Sequence, residues 1–370
     1  MKAKKEFKKW FCGILGAVLL TAVAGLPKGA FALDIGGVEI HGYGHQGFLV
    51  SNENEYLDAG DDGTWNYTSM AIVFSSKVTD NTTIWIQLYG ADEIGLDWTF
   101  VDYRFNNNLS VQLGQVKLPM GFYNETRDAR FLQLSTLLPA MYRTEAELIH
   151  EAYRGIRAIY DLELGGAGSI IFEPIGGQLL DESMGHKQGQ MFGGRITYQA
   201  PLEGLSLAGA STFSKIEKRS MQIEMPYGTG PGTVTVTTPM SKKGEMKMWY
   251  AGVDYVNYGL DLKTEYVWMK MFDETHSAYY AQAGYTFFDK LTPFVRYDYN
   301  STDDDQSSDP SYYQKCASVG VGYKINYNVS LKAEYHISDG YAMPVASGEV
   351  SAGAGEDNWN MFVASMNFIF

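Results

Sequence analysis

Beyond Ala32, this chain of 370 residues contains no long apolar run. A helix needs about 20 consecutive apolar residues to cross a bilayer, so the sequence does not predict a helical membrane protein. Cysteine is also scarce. The sequence has 2, and only Cys316 lies beyond Ala32, which excludes an intramolecular disulfide there. The sequence leaves the role of Cys316 open.

Basic residues are few, with 29 Lys and Arg against 43 Asp and Glu. The segment from Met1 to Ala32 holds six lysines and one glutamate, so the remainder has a net charge of −19, compared with −14 for the whole sequence. Proteins that bind nucleic acid present a basic surface to it. We therefore expect no nucleic-acid partner for this acidic chain.

The start of the sequence has the three regions of a secretory signal peptide. Five lysines precede an apolar run from Phe11 to Ala24, which is short for a membrane span, and Ala30-Phe31-Ala32 fits the small-x-small cleavage pattern. We predict export with cleavage after Ala32 and assign residues 1–32 to the signal peptide. The alternative is an uncleaved membrane anchor.

What the remainder does contain is alternation with a period of two, which indicates strands with two unlike faces. From Val329 to Ile337, apolar residues alternate with polar ones such as Lys332 and Glu334. Mean hydropathy is only −0.20, although aromatic residues reach 14%. Both values fit a transmembrane barrel, in which every second residue faces lipid and Tyr and Trp gather at the membrane interfaces.

Sixteen segments show this alternation. They lie near residues 37–50, 65–78, 82–91, 95–105, 108–116, 153–164, 168–175, 189–200, 204–215, 246–257, 259–271, 277–288, 290–300, 314–326, 328–338 and 358–370. Short connections rich in Asn, Asp and Gly alternate with connections that are mostly longer. Backbone groups cannot stay unpaired in hydrocarbon, so such a sheet must close. The sequence predicts an all-β fold, a 16-stranded antiparallel transmembrane β-barrel over residues 33–370.

The alternative fold is a soluble β-sandwich or β-helix. In a sandwich the apolar face of every strand would need a partner sheet. No internal repeat of fixed period supports a solenoid.

The end of the chain continues the alternation, with Phe368 and Phe370 on the apolar face of the last segment. This ending resembles the carboxyl-terminal signature of bacterial outer-membrane barrels. In those proteins a terminal aromatic residue is recognised by the barrel-assembly machinery. The resemblance implies that Phe368 and Phe370 form an assembly signal and that the mature chain resides in the bacterial outer membrane.

One longer segment, Gly114-Gln-Val-Lys-Leu-Pro-Met-Gly-Phe-Tyr-Asn-Glu-Thr-Arg-Asp128, resembles bacterial porins. There a strand ends in Gly-x-x-Lys-x-Pro-x-Gly and runs into a long third loop. His41-Gly-Tyr-Gly and residues 97–105 resemble neighbouring strands of the same group, the general and phosphate-selective porin superfamily. The resemblance is strongest over residues 40–160 and in the last strand. It implies sixteen strands, a homotrimer and a third loop, residues 117–152, that folds into the lumen and narrows it.

Charged side chains opposite the apolar faces are expected to line the lumen, because a charge facing lipid near the midplane costs roughly 2–4 kcal/mol. The candidate pore-lining residues are Arg104, Arg157, Arg195, Lys263, Arg296, Lys332 and Glu334. The candidates in the constriction loop are Lys117, Glu125, Arg127, Asp128, Arg130 and Arg143. Such charges filter solutes by sign, or they simply neutralise one another in a wet interior. The dense basic ladder that phosphate selectivity needs is missing.

The predicted function is a water-filled channel for passive diffusion of small polar solutes and ions, embedded in outer-membrane lipid and lipopolysaccharide. We predict no catalytic residue, metal site or cofactor, because none of the 6 histidines lies in a recognisable motif. Two alternatives remain: a barrel that sheathes a partner such as an electron-transfer cytochrome, and a barrel enzyme. The solute, the preferred sign of ion and the pore diameter stay open.

Overall fold

The computed structural model describes residues 33–91, 93–143, 148–179, 187–217, 220–226, 233–239 and 244–370. The predicted signal peptide therefore lies outside the described residues. The strands, in chain order, are β1 (Leu33–Ile35), β2 (Val38–Ser51), β3 (Thr64–Thr79), β4 (Thr82–Gly90), β5 (Ile94–Arg104), β6 (Leu109–Lys117), β7 (Ala152–Glu163), β8 (Ser169–Leu179), β9 (Lys187–Gln199), β10 (Leu205–Glu217), β11 (Ser220–Pro226), β12 (Thr233–Pro239), β13 (Gly244–Asn257), β14 (Leu260–Met271), β15 (Glu274–Tyr285), β16 (Leu291–Ser301), β17 (Tyr313–Lys324), β18 (Val329–Asp339) and β19 (Asn358–Ile369). One short helix, α1, spans Ala342–Ser347. Within the described ranges, no helix has both the length and the apolar character needed to cross a membrane.

Sixteen strands, β2–β10 and β13–β19, form one closed antiparallel sheet. Neighbours in sequence pair throughout, except that β10 pairs with β13 across the β11–β12 hairpin. The last strand returns to the first of the ring, with Met361 opposite Ser51 and Ile369 opposite Tyr43. Closure pairs the backbone groups that an open edge would expose. The predicted 16-stranded antiparallel barrel is confirmed.

The observed strand bounds differ from the predicted ones by only a few residues, and one of the longer connections contains a hairpin that the sixteen segments did not include. Between residues 216 and 245, β11 and β12 pair with each other and with no other strand among the described residues. The alternation of Thr and Val from Thr233 to Thr237 is a strand pattern that accounts for it. A smaller addition is β1, which forms a hairpin with the start of β2.

Two of the tight connections contain two consecutive residues with positive φ. Between β13 and β14, Tyr258 has φ 52° and Gly259 has φ 80°. Two consecutive positive φ angles define the turn whose twist matches that of paired strands, and Gly adopts them without steric cost. Phe288 and Asp289 repeat the conformation between β15 and β16, with φ of 53° and 57°. Both belong to the short connections that alternate with the longer ones.

The two faces of each strand are oriented as the alternation predicts. On β14, Leu262 and Tyr266 are 40% and 45% exposed on the outer surface. Glu265 and Val267, which point the other way, are 1% and 0% exposed. A belt of apolar side chains therefore faces outward, where lipid would solvate it, and a charged residue is placed inside.

The interior, however, is only partly polar. Toward the end of the barrel that carries the long loops, the inner faces of β13 and β14 carry Met246, Met248, Met269 and Met271. These methionines belong to a buried apolar cluster that includes many residues of the loop between β6 and β7. Methionine is flexible and fills irregular space, so it suits a wall that must accommodate a folded loop. The lining of this half of the barrel is therefore partly apolar.

Candidate functional site: the third loop and the inner wall

The third loop, residues 118–151, connects β6 to β7. Lys117 and Ala152, the predicted ends of this segment, belong to the strands and pair with each other. Residues 144–147 lie outside the described part of the chain. The described part contains three single turns of 3-10 helix, at Asn124–Thr126, Arg130–Leu132 and Ala140–Tyr142. Its residues contact the inward-facing side chains of several strands, which anchor it at five places.

The first anchor joins the loop to the wall at β7–β9. The Glu125 carboxylate lies 2.8 Å from the guanidinium of Arg157 and 2.8 Å from that of Arg195. Both guanidiniums also bind Glu173 of β8, which is 3% exposed. Burial alone would raise the pKa of Glu125, but Arg157 and Arg195 outweigh it and lower the pKa to about 2. These two predicted lumen arginines therefore have their charge largely compensated.

The second anchor surrounds Lys117 at the end of β6. Its ammonium lies 2.6 Å from Asp128, 3.2 Å from Asp97 and in contact with Glu151. Asp97 reaches this point because β5 has an irregular register opposite Gln87. Burial would raise the pKa of Asp128, but Lys117 lowers it below its usual value. Three carboxylates so close together could hold a metal ion, yet here a lysine already provides the positive charge.

The third anchor is a buried carboxylate, Glu265 on β14, surrounded by hydroxyl groups. Tyr142 of the loop donates to it at 2.7 Å, Tyr250 of β13 donates at 2.5 Å, and Tyr280 of β15 donates as well. The backbone N–H of Phe122 adds a fourth donor at 2.7 Å. The tyrosine cage, meaning Glu265 with these three tyrosines, fixes the loop to three adjacent strands.

Lys263, a predicted pore-lining residue, lies beside the cage but does not pair with Glu265. Its ammonium is 3.2 Å from Asp254 and sits 4.4 Å from the centre of the Tyr123 ring. A cation over an aromatic face is attracted by the ring quadrupole. Lys263 therefore holds the loop through an aromatic side chain.

The fourth anchor comes from β16. Arg296 donates to the backbone oxygen of Leu137 at 2.8 Å and pairs with Asp298 at 2.6 Å. Asp298 in turn accepts from the backbone N–H of Ala140 at 3.3 Å. Arg296 and Asp298 therefore both bind the main chain of the loop, and their opposite charges compensate each other.

The fifth anchor comes from β18, where two charged residues bind the loop in different ways. Glu334 accepts from Ser135 Oγ at 2.5 Å and from the N–H of Thr136. His336 lies behind it, with Nε2 3.2 Å from Glu334 and Nδ1 2.8 Å from Ser318 Oγ. The charge of Glu334 is therefore held by buried polar partners.

Lys332, also on β18, meets only backbone oxygens of the loop. Its ammonium donates to Arg130 O at 2.5 Å and to Gln133 O at 2.6 Å. Among the described residues, no carboxylate lies within ion-pair distance of it.

Two cavities flank the loop. One, of about 250 Å³, lies between the inner faces of β2–β4 and loop residues that include Arg127, Arg130 and Arg143. The other, of about 290 Å³, lies toward the short-turn end, where Lys332 and Phe131 are among its lining residues. We call them the outer and the inner cavity.

The remaining predicted residues lie apart from these anchors. Arg104 is exposed at the end of β5 and takes no part in them. Phe368 and Phe370 lie on the outer face of the barrel, and the backbone of Phe370 hydrogen-bonds with Gly42 in both directions. A Cβ at Gly44 would lie 2.6 Å from Ser69 O and 2.8 Å from the Phe368 ring. The glycines of the His41-Gly-Tyr-Gly stretch thus make room for the terminal aromatics.

Sequence reasoning missed several residues of the site. Glu173, Asp97 and Glu151 form ion pairs with predicted residues, and three tyrosines surround Glu265. Only one signal pointed to Glu173, a carboxylate at an inward position of an otherwise apolar strand. The tyrosines gave no signal, because inward tyrosines cannot be told from interfacial ones without the register of each strand.

The closed 16-stranded barrel, with a loop anchored to its inner wall, defines the class of outer-membrane channels. Within that class, residues 166–356, just over half of the chain, match the family described as Gram-negative porin. The chain therefore belongs to the Gram-negative porin family, as its sequence resemblance implied. The segment 114–128, which suggested the family, lies outside the matched range. No curated protein sequence matches the chain.

Solved porin structures share the fold. OmpF of Salmonella typhi, in complex with daunomycin, has 14% identity and a TM-score of 0.59, covering 92% of this chain and 100% of that one. OmpT of Vibrio cholerae has 13% identity, a TM-score of 0.57 and the same coverage of both chains. An anion-selective porin from Comamonas acidovorans has 11% identity and a TM-score of 0.56, covering 90% of this chain and 99% of that one. At these identities the likeness shows a shared fold alone.

Proposed function

We propose that this outer-membrane porin lets small polar solutes and ions diffuse passively through its lumen, and that the third loop sets the width of the passage. The observation that supports this proposal most directly is the pair of cavities on either side of the loop, each bordered by polar and charged side chains. A loop fixed at five places is a stable obstruction rather than a loose flap. The two cavities beside the loop have room for water and small solutes.

The test is electrical. Purified mature chain, added alone to a planar lipid bilayer, should produce stepwise and long-lived increases in conductance. A barrel that only sheathes a partner would give no steady steps once the partner is removed. Absence of conductance from correctly folded protein would refute the proposal.

The maturation and assembly steps are proposals as well. Cleavage after Ala32 is supported by the small-x-small pattern at Ala30–Ala32, and amino-terminal sequencing of the membrane-extracted protein should begin at Leu33. Recognition by the barrel-assembly machinery is supported by the outward position of Phe368 and Phe370. A homotrimer is supported by family membership, and one similar structure, of Vibrio cholerae OmpT, is described as a trimer form. Cross-linking in native membranes tests it.

A further inference from the structure

The guanidiniums of the site fall into two groups. Arg157, Arg195 and Arg296 each have a carboxylate within 3 Å. Arg130 and Arg143 have none within ion-pair distance among the described residues, although both are largely withdrawn from solvent. Asp128 and Asp298 act on these two guanidiniums only from beyond ion-pair distance, so the charges of Arg130 and Arg143 are the least closely paired of the group.

The partners of Arg143 are neutral. Its Nε donates to the backbone oxygen of Leu138 at 2.7 Å, and Nη1 donates to the hydroxyl of Tyr56 at 3.3 Å. The guanidinium also lies 5.9 Å from the centre of the Tyr56 ring. These contacts fix its position but leave its charge in place.

Arg130 is still less satisfied. It donates to the backbone oxygen of Arg127, while its Nε is buried without any hydrogen-bond partner. A buried, unpaired donor on a charged group is costly unless something else meets it. Both Arg130 and Arg143 border the outer cavity, and none of the described residues that line this cavity is an aspartate or a glutamate.

A further basic side chain lies on the other side of the loop. The carbonyl of Arg130 accepts a hydrogen bond from Lys332, which borders the inner cavity and also lacks an ion-pair partner among the described residues. Lys324 borders the same cavity, with Asp261 as its one acidic lining residue. Arg130 and Arg143 therefore form a pair of cationic groups at the outer cavity, and Lys332 lies on the far side of the loop from them.

We propose that the arginine pair, Arg130 and Arg143, makes the channel selective for small anionic solutes, such as halide or short carboxylate ions. The proposal rests on the channel function proposed above and adds the class of solute. It runs against the net charge of the chain, which is −14 in full and more negative beyond Ala32. The acidic residues of the outer loops, including Asp303, Asp304 and Asp305, are exposed to salt solution, which screens charges beyond a Debye length of about 10 Å. Charges within a narrow passage are screened less and dominate the choice of ion.

The test is the zero-current potential of the purified mature porin in a planar bilayer under a KCl gradient of about tenfold, a gradient that separates anion from cation preference by sign. The zero-current potential of the wild-type porin should have the sign expected for a channel that prefers chloride to potassium. The double variant Arg130→Gln/Arg143→Gln should lower the ratio of chloride to potassium permeability by about threefold or more, because two unpaired charges leave the passage. The double variant Arg130→Lys/Arg143→Lys keeps both charges and should stay near wild type.

The matched control is Lys77→Gln, which removes a charge that is exposed at the end of β3 and should leave the ratio unchanged. If the double glutamine variant does not fold, as judged by its migration on unheated gels, Arg130→Gln alone is used, since Arg130 donates only to one backbone oxygen. A cation-selective wild type, or a glutamine variant with wild-type selectivity, would overturn the inference while leaving the channel function intact. A wild type that forms no channel would instead refute the proposed function.

Discussion

The tyrosine cage gives the sharpest prediction about what holds the third loop in place. Glu265 accepts hydrogen bonds from three hydroxyl groups and one backbone N–H, and it is 1% exposed. Substitution Glu265→Ala removes the acceptor and leaves four donors in a buried site. A hydrogen bond to a charged group contributes about 1.5–3 kcal/mol, and a buried donor left unpaired costs about 1–3 kcal/mol. Contributions from groups in one network do not add, so we expect the free energy of unfolding to fall by about 4 kcal/mol rather than by the sum.

The assay is equilibrium unfolding in urea of the porin refolded into lipid vesicles, followed by tryptophan fluorescence. Tyr250→Phe removes only one donor to the charged carboxylate and should cost about 1.5–3 kcal/mol. Glu203→Ala, in the exposed turn between β9 and β10, is the control and should stay within about 0.5 kcal/mol of wild type. A loss below about 1 kcal/mol for Glu265→Ala would mean that the cage does not hold the loop, since a single neutral hydrogen bond contributes that much. The reasoning would then be wrong.

Three further predictions concern the loop, the Glu125 anchor and the barrel seam. Deleting Leu132–Leu138 should raise single-channel conductance, because it removes loop residues between the two cavities; an unchanged step size would contradict the constricting role. Glu125→Gln should lower the free energy of unfolding at neutral pH. Because Arg157 and Arg195 hold the pKa of Glu125 at about 2, below its ordinary 4.5, the benefit of the wild-type carboxylate is complete above pH 4.5 and is lost as the pH falls through 2. The two proteins should therefore converge in stability below that pH, and a constant difference down to the lowest pH would refute the ion-pair explanation. Gly44→Val should reduce the fraction of folded barrel in outer-membrane extracts, since a Cβ there would clash with Ser69 O; normal assembly would show that the seam tolerates the extra atoms.

The strands could be predicted because lipid and lumen impose opposite demands on alternate residues. That pattern is local, so the segment from Val329 to Ile337 revealed β18 within two residues of its true bounds. The short connections, such as those at Tyr258 and Asp289, lie where one alternating segment ends and the next begins.

The interior of the barrel could not be predicted in the same way. Whether an inward Glu such as Glu265 meets a lysine or three tyrosines depends on the register between strands and on the path of the loop. Lys263 lies two residues before Glu265 on the same face of β14, so an ion pair between them could be expected from the sequence. Lys263 instead pairs with Asp254 and lies over an aromatic ring. The inward methionines, such as Met248 and Met269, become intelligible only when the apolar side of the loop is seen to pack on them.

The sign of the charge in the passage could not be predicted from the sequence either. Sequence alone gave a strongly acidic chain with scattered arginines, and it could not separate paired from unpaired ones. Arg157 and Arg130 look alike in the sequence, but the first has two carboxylates within ion-pair distance and the second has none within that distance among the described residues. The sign of the passage is therefore a property of the folded loop.

The orientation of the strand faces can be measured directly with spin labels on single cysteines along β14, in a Cys316→Ser background. Labels at Leu260 and Leu262 should collide with oxygen dissolved in the lipid, and labels at Asp261 and Lys263 should collide with a water-soluble nickel chelate. We expect this result because the side chains of the two leucines are 37% and 40% exposed on the outer surface. The opposite pattern, with the leucine positions shielded from lipid and the charged positions facing outward, would contradict the barrel on which every other conclusion depends.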